Sequence, residues 1–309
     1  KGKLLTPTAS SFMAAAAKMW ADVSMLSDWK HLASWIEKTP KESHFSFKEK
    51  ENAWEENRKK AARSHPLKTL PHIPSIPGIT KTTARFLKIK SLFYLLSKDK
   101  KKVFTTHFWK HPFKYGAKLL LSYARKKSFT REDDLFFYGL KNLCEFKTAL
   151  SQDNSLLILG FSYCHKPLEC PSGRFSSSCQ NTPSNPVCSQ CFIGKMCHLI
   201  PPHKAVIPLF IPTIHYIGEK MFEITEQHPN KKIVFLITAC EMTLNMFGDW
   251  GNMIGALGIG VRLDGRICNT MKAFLLSEEG IKPGLTTVLP ETEKILVDIL
   301  SSMHTHTPY

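Results

Sequence analysis

"KKIVFLITAC", residues 231–240, is the strongest strand signal in the chain. Its apolar run starts at Ile233 and is broken only by Thr238. A strand with one wet face alternates apolar and polar residues. A continuous apolar run instead suits a strand covered on both faces, as in a parallel sheet with helices above and below. Working outward, "SLLILGF" (155–161), "AVIPLF" (205–210) and "ALGIGVRL" (256–263) read as further buried strands. Between and after them, "TIHYIGEKMFEITEQ" (213–227), the stretch opening "EMTLNMF" (241–247), "CNTMKAFLLSEEG" (268–280) and "ETEKILVDILSSM" (291–303) read as helices, with Gly280 closing the third. Strand–helix alternation predicts an α/β domain over 151–309 built on a parallel sheet, with a cysteine-rich loop inserted after its first strand.

Residues 1–150 read differently, as a mainly helical, basic region. An apolar-periodic helix is expected over 9–38 and a polar one within 40–68. Prolines at 66, 71, 74 and 77 predict an extended linker or strap, because proline fixes φ and removes a backbone donor. An amphipathic helix follows over 81–98, then Phe108, Trp109, Phe113 and Tyr115 among Lys110, Lys114 and Lys118. Those aromatics suit core packing, a membrane interface or stacking on bases. The longest apolar run, "AVIPLFIPTIHYI" (205–217), holds two internal prolines and is too short to span a bilayer, so no transmembrane helix is expected. The chain opens at Lys1 without an initiator Met, which leaves targeting open.

The net charge of +16 is lopsided. Residues 1–150 hold 30 Lys+Arg against 13 Asp+Glu, a balance of +17, and residues 151–309 hold 12 against 13, a balance of −1. A basic half predicts a polyanionic neighbour, an anionic membrane surface ahead of a nucleic acid, or else a merely solvated basic surface.

Eight of the nine cysteines lie in the second half: Cys164, Cys170, Cys179, Cys188, Cys191, Cys197, Cys240 and Cys268. An odd count without a visible secretion signal favours a reducing, cytoplasmic setting and metal or redox chemistry over a disulfide framework. In "CSQCFIGKMCH" (188–198), the two residues between Cys188 and Cys191 let both thiolates converge on one metal. No second C-x2-C exists to complete a zinc ribbon. Thiolates at irregular spacing suit an iron–sulfur cluster, whose four ligands can come from separate loops. Cys240 ends the strongest strand, where ligands of open α/β sheets bind. Cys268 opens a helix, where a thiol's pKa falls. Each also suits a small buried apolar role.

In order, "CSQCFIG" (188–194), "LITACEMTL" (236–244) and "GIGVRLDGRICNT" (258–270) resemble the bacterial and archaeal domain-of-unknown-function family numbered 116 over about residues 155–285. The resemblance implies a cysteine-ligated centre on an α/β domain, with Cys188, Cys191, Cys240 and Cys268 as ligands. It implies Glu241, Asp264, Gly265, Asn269 and Thr270 beside them, and membrane-associated N-terminal segments in some members. Here Arg266 and Ile267 separate Gly265 from Cys268, where the family usually has Gly-Cys directly, and Ser189-Gln190 fill the CxxC spacer.

The reading these features support is an iron–sulfur protein, with one or two clusters of [4Fe-4S] type. Cys170, Cys179, Cys188 and Cys191 form the first expected set; Cys164, Cys197, Cys240 and Cys268 form the second. Glu241 and Asp264 are expected as proton carriers, and Gly265, Asn269 and Thr270 as cofactor contacts. The chemistry would be electron transfer to a partner protein, or a redox step on a small molecule, at the inner face of the membrane. The alternatives are a zinc-stabilised nucleic-acid-binding module and a thiol enzyme using Cys240 or Cys268. Asp249-Trp250 is expected as a loop over the site. The glycines of 251–260 are expected in turns and close packing. His165, His198, His203 and His215 are expected as loop residues, with one of them a candidate ligand.

Overall fold

A computed structural model describes residues 47–68, 93–94, 96–100, 102–124, 129–201, 205–265, 268, 271–282, 284 and 286–305. The expected helix at 9–38, most of the one at 81–98, and the proline strap beyond residue 68 lie outside these ranges. The chain divides into two compact units, residues 1–56 and 57–309. Of the first unit only residues 47–56 are described, at the start of helix α1 (Phe47–Ser64).

The elements of the second unit follow in chain order. Helices α2 (Val103–Lys110) and α3 (Pro112–Ala124) precede a hairpin of β1 (Thr130–Glu132) and β2 (Leu135–Tyr138). Next come α4 (Leu143–Leu150), β3 (Ser155–Ser162), the cysteine loop with its short helices α5 (Pro186–Gln190) and α6 (Phe192–His198), and β4 (Val206–Ile211). Then α7 (Ile214–Gln227), β5 (Lys232–Ala239), α8 (Glu241–Ile254) and β6 (Leu257–Arg262) alternate. The two-residue strands β7 (Asp264–Gly265) and β8 (Thr286–Thr287) flank α9 (Met271–Glu278), and α10 (Pro290–Thr305) closes the described chain.

The fold is α/β. One six-stranded sheet has the order β1-β2-β6-β5-β3-β4, in which β6, β5, β3 and β4 are mutually parallel and the hairpin adds antiparallel at β6. The adjacent interior strands β3 and β5 are buried along almost their whole length, as an unbroken apolar run demands. Pro208 sits in β4, an edge strand, where a missing N–H does not interrupt the sheet. Thr213 caps α7 by accepting from Tyr216 N, and Gly255 ends α8 at φ 73°, in the left-handed region. A β-carbon on Gly258 would come 2.3 Å from Phe235 O, so β6 lies against β5 at a spacing only glycine permits.

Three features differ from expectation. The sheet takes in residues 130–138, well before the expected boundary at 150, and α2 and α3 pack on α7 and α8. The strand "LFFY" is only four residues long and wholly buried, too brief to show a period among helical neighbours. Asp249 and Trp250 belong to α8, which runs on to Gly255, and form no loop. The basic aromatics split: Phe108 and Tyr115 pack against the core, whereas Trp109 and Phe113 are 69% and 92% exposed. Among the described residues no helix is long and apolar enough to cross a membrane.

Candidate thiol centres

From β3 the chain moves outward to β4, and from β5 it moves the other way to β6. The carboxyl ends of β3 and β5 therefore flank a topological switch point, where open α/β sheets hold their ligands. Cys164 follows β3 directly, in a turn of 3-10 helix at Tyr163–His165, and Cys240 follows β5 as the N-cap of α8. Cys268, just before α9, joins them. All three are buried and line one cavity of about 30 Å³ with Thr243 and Glu278.

The contacts in this cluster are specific. Lys282 Nζ donates to Cys164 Sγ at 3.2 Å. Cys240 Sγ lies 3.1 Å from Thr243 Oγ1. The Ser277 hydroxyl donates to Phe274 O at 2.8 Å, while Tyr163 Oη donates to Ser277 O at 2.6 Å. Cys240 pulls the Cys268 thiol down to about 6 against its burial, with help from the Lys282 charge and Ser277. Cys268, with burial, drives Cys240 well up and keeps it protonated. Burial alone would push the Lys282 ammonium down; the neighbouring thiols Cys164, Cys268 and Cys240 hold it up.

The cysteine loop forms a second group. Cys170, Cys179, Cys188 and Cys191 line a small cavity with Lys166, and Cys197 interacts electrostatically with Cys179 and Cys191. Cys197 thus joins the first expected set, not the second. Cys191 is the N-cap of α6 but makes no side-chain cap hydrogen bond. Burial pushes Cys191 up to about 11 and Cys197 up to about 12. Lys166 is 1% exposed, and its ammonium donates to Ser178 O (2.7 Å), Ser176 O and Oγ (both 2.8 Å) and Gly173 O (3.4 Å). Burial lowers its pKa, while Cys170, Cys179 and Cys191 raise it.

Among the described residues no three His, Cys, Asp or Glu side chains stand together at a spacing that would hold a metal ion. The donor chemistry of the loop still fits a thiolate-bound metal. It offers five soft sulfurs beside a buried cation that would offset the net negative charge of a four-thiolate centre. Ligation requires the loop to draw these sulfurs closer. All nine cysteines are free thiols.

Comparison with family models, with curated proteins and with solved structures finds no match.

The remaining expected site residues scatter. Glu241 is 4% exposed and paired with Arg131 (Nη1 to Oε1, 3.0 Å), and Asp264 is buried in β7; neither lines the switch-point cavity. Gly265 pairs with Thr286, and Asn269 and Thr270 lie outside the described residues, as do Arg266, Ile267 and His203. His165 is a core residue. It stacks on Phe192 at 4.5 Å, its Nε2 lies 2.9 Å from Thr238 Oγ1, and burial holds it neutral with a pKa of about 3. His215 packs against Tyr94 with ring centroids 5.5 Å apart. Lys166, Lys282, Thr243, Ser277 and Glu278 carry no local sequence signal: either lysine is one among 42 Lys+Arg, and only the fold brings them to the thiols.

Proposed function

We propose that the chain is a redox protein with two thiol centres, one of them an iron–sulfur cluster of [4Fe-4S] type held by the cysteine loop. The observation that carries this reading is that each thiol group is built around one buried lysine, Lys166 in the loop and Lys282 at the sheet edge. Burying an ammonium is costly; carbonyls offset part of that cost around Lys166, and negative charge on the neighbouring sulfurs would offset more at both sites. Four of Cys170, Cys179, Cys188, Cys191 and Cys197 are the ligands in this reading, and the cluster supplies one-electron transfer when bound. Cys164, Cys240 and Cys268 remain outside that ligand set. Anaerobic purification tests it. A brown protein with visible absorbance and iron matched by inorganic sulfide is expected. A colourless protein with stoichiometric zinc overturns the cluster and favours a structural zinc site.

Docking on an anionic membrane surface at the cytoplasmic face is the second part of the reading. Trp109 and Phe113, four residues apart across the α2–α3 junction, are exposed beside Lys110 and Lys114 in the sequence, and Leu120 and Leu121 add exposed apolar surface on α3. Exposed aromatics among lysines suit a headgroup interface. With each aromatic contributing on the order of 1 kcal/mol, the double variant Trp109→Ala, Phe113→Ala is expected to bind anionic vesicles about thirtyfold more weakly. Unchanged co-sedimentation removes this surface from consideration.

A further inference from the structure

We propose that Cys240 and Cys268 are a peroxide-reactive dithiol that closes to a reversible disulfide, with Cys268 as the attacking sulfur, Cys240 as the resolving sulfur and Glu278 as the proton donor. The inference stands on the switch-point cavity and is independent of any metal in the loop.

Three observations carry it. Both thiols are buried and line the same small cavity, so the partner needed for a disulfide is beside the attacking sulfur. Cys240, the Lys282 charge and Ser277 pull the Cys268 thiol down, toward the reactive thiolate. The cavity is about 30 Å³, room for two water-sized groups at roughly 10–15 Å³ each. Hydrogen peroxide has two heavy atoms and fits. A disulfide substrate would bring bulk on both sides of the attacked bond, and Cys240 and Cys268 are only 6% and 5% exposed.

Glu278 occupies the wall between this cavity and a larger surface groove of about 440 Å³, since it lines both together with Pro212 and Thr213. Its carboxyl accepts from Ile214 N at 3.0 Å and from Tyr94 Oη at 3.4 Å. Burial, reinforced by Cys240, raises it to about 8 against these two hydrogen bonds, so it carries a proton at neutral pH. The groove side holds Lys98, Asp99, His215, Glu219 and Glu279, through which that proton is replaced from solvent.

The chemistry balances. The Cys268 thiolate attacks one oxygen of HO–OH; an S–O bond forms and the O–O bond breaks. The departing hydroxide takes the Glu278 proton and leaves as water, and Cys268 is a sulfenic acid, oxidised by two electrons. Cys240 then attacks the Cys268 sulfur, and its proton leaves with the hydroxyl as a second water. Two thiols and one peroxide give one disulfide and two waters, and a dithiol reductant reverses the oxidation.

The test uses the full chain, reduced, desalted and treated with one equivalent of hydrogen peroxide. Free thiols are then alkylated with N-ethylmaleimide in denaturant and mapped by peptide mass. Loss of alkylation at Cys240 and Cys268 together, restored by dithiothreitol, is expected. In Cys240→Ser, Cys268 should stop at a sulfenic acid that dimedone traps. In Cys268→Ser, Cys240 should stay fully alkylatable, because the attacking sulfur is gone. Both cysteines remaining alkylatable after excess peroxide in the unsubstituted chain, or a disulfide to any other cysteine, overturns the dithiol. Glu278→Gln separates the proton donor from the pair. Disulfide formation should slow by about 100-fold, the contribution of a positioned acid. Far-UV circular dichroism and the final yield of disulfide should match the wild type. Equal rates of peroxide reaction in this variant overturn the role of Glu278.

Discussion

Replacing Cys191 by serine is expected to abolish binding of the metal proposed for the cysteine loop. Of the five loop sulfurs, Cys191 belongs with Cys188 to the one C-x2-C pair, lines the loop cavity and sits at the N-cap of α6. Serine keeps the size of the side chain and is itself a favoured N-cap residue, so α6 should form. What it lacks is a soft anionic donor, since a hydroxyl does not ionise near neutral pH. Metal per chain, measured after a chelator challenge that leaves the wild type loaded, should fall to near zero while far-UV circular dichroism is unchanged. The same substitution at Cys170, Cys179, Cys188 and Cys197 sorts the ligands. A four-ligand centre predicts that one of the five variants keeps its metal, and retention in all five would falsify the loop site.

The sequence makes the frame of this molecule legible because the frame is local. β3, β4, β5, β6 and the helices between them each carry their own period or apolar run, and Thr213 and Gly255 mark a helix start and a helix end. The hairpin was hidden because its burial is a property of the assembled sheet: "LFFY" becomes a strand by pairing with β6, more than a hundred residues later. The thiols were legible by residue type but not by grouping. Cys197 falls with the loop because α6 is a single short helix that carries it close to Cys191. Cys164 falls with Cys240 because β3 and β5 are adjacent and parallel, which brings their carboxyl ends together. The charged residues Glu241 and Asp264 looked catalytic beside Cys240 and Cys268 in sequence, yet the structure turns Glu241 to Arg131 and leaves Glu278 on the cavity wall. Adjacency in sequence says little at the start of a helix, where successive residues point to different sides.

Replacing Lys166 by methionine is expected to loosen the cysteine loop while leaving the sheet intact. The lysine is buried, with its ammonium 5.9 Å from the Phe210 ring centroid, and methionine matches the unbranched stem in size. The lost part is the ammonium, which gathers the carbonyls of Gly173, Ser176 and Ser178 and so folds the loop back on itself. Hydrogen bonds to a charged group contribute roughly 1.5–3 kcal/mol each, and the two short carbonyl bonds alone put the loss at about 3 kcal/mol. The loss is local, because those carbonyls all belong to the segment between β3 and α5. Opening of that segment should therefore become about 100-fold more frequent, seen as faster amide exchange over residues 167–185, with protection in β3 and β5 unchanged. If the loop binds its metal as proposed, affinity should fall by a similar factor, since ordering the loop and ligating the metal are one equilibrium. Removing the ammonium also leaves the negative charge of a four-thiolate centre without its nearest buried counter-charge, which pushes in the same direction. Wild-type exchange in the loop together with wild-type metal affinity would show that Lys166 organises neither the loop nor its thiols.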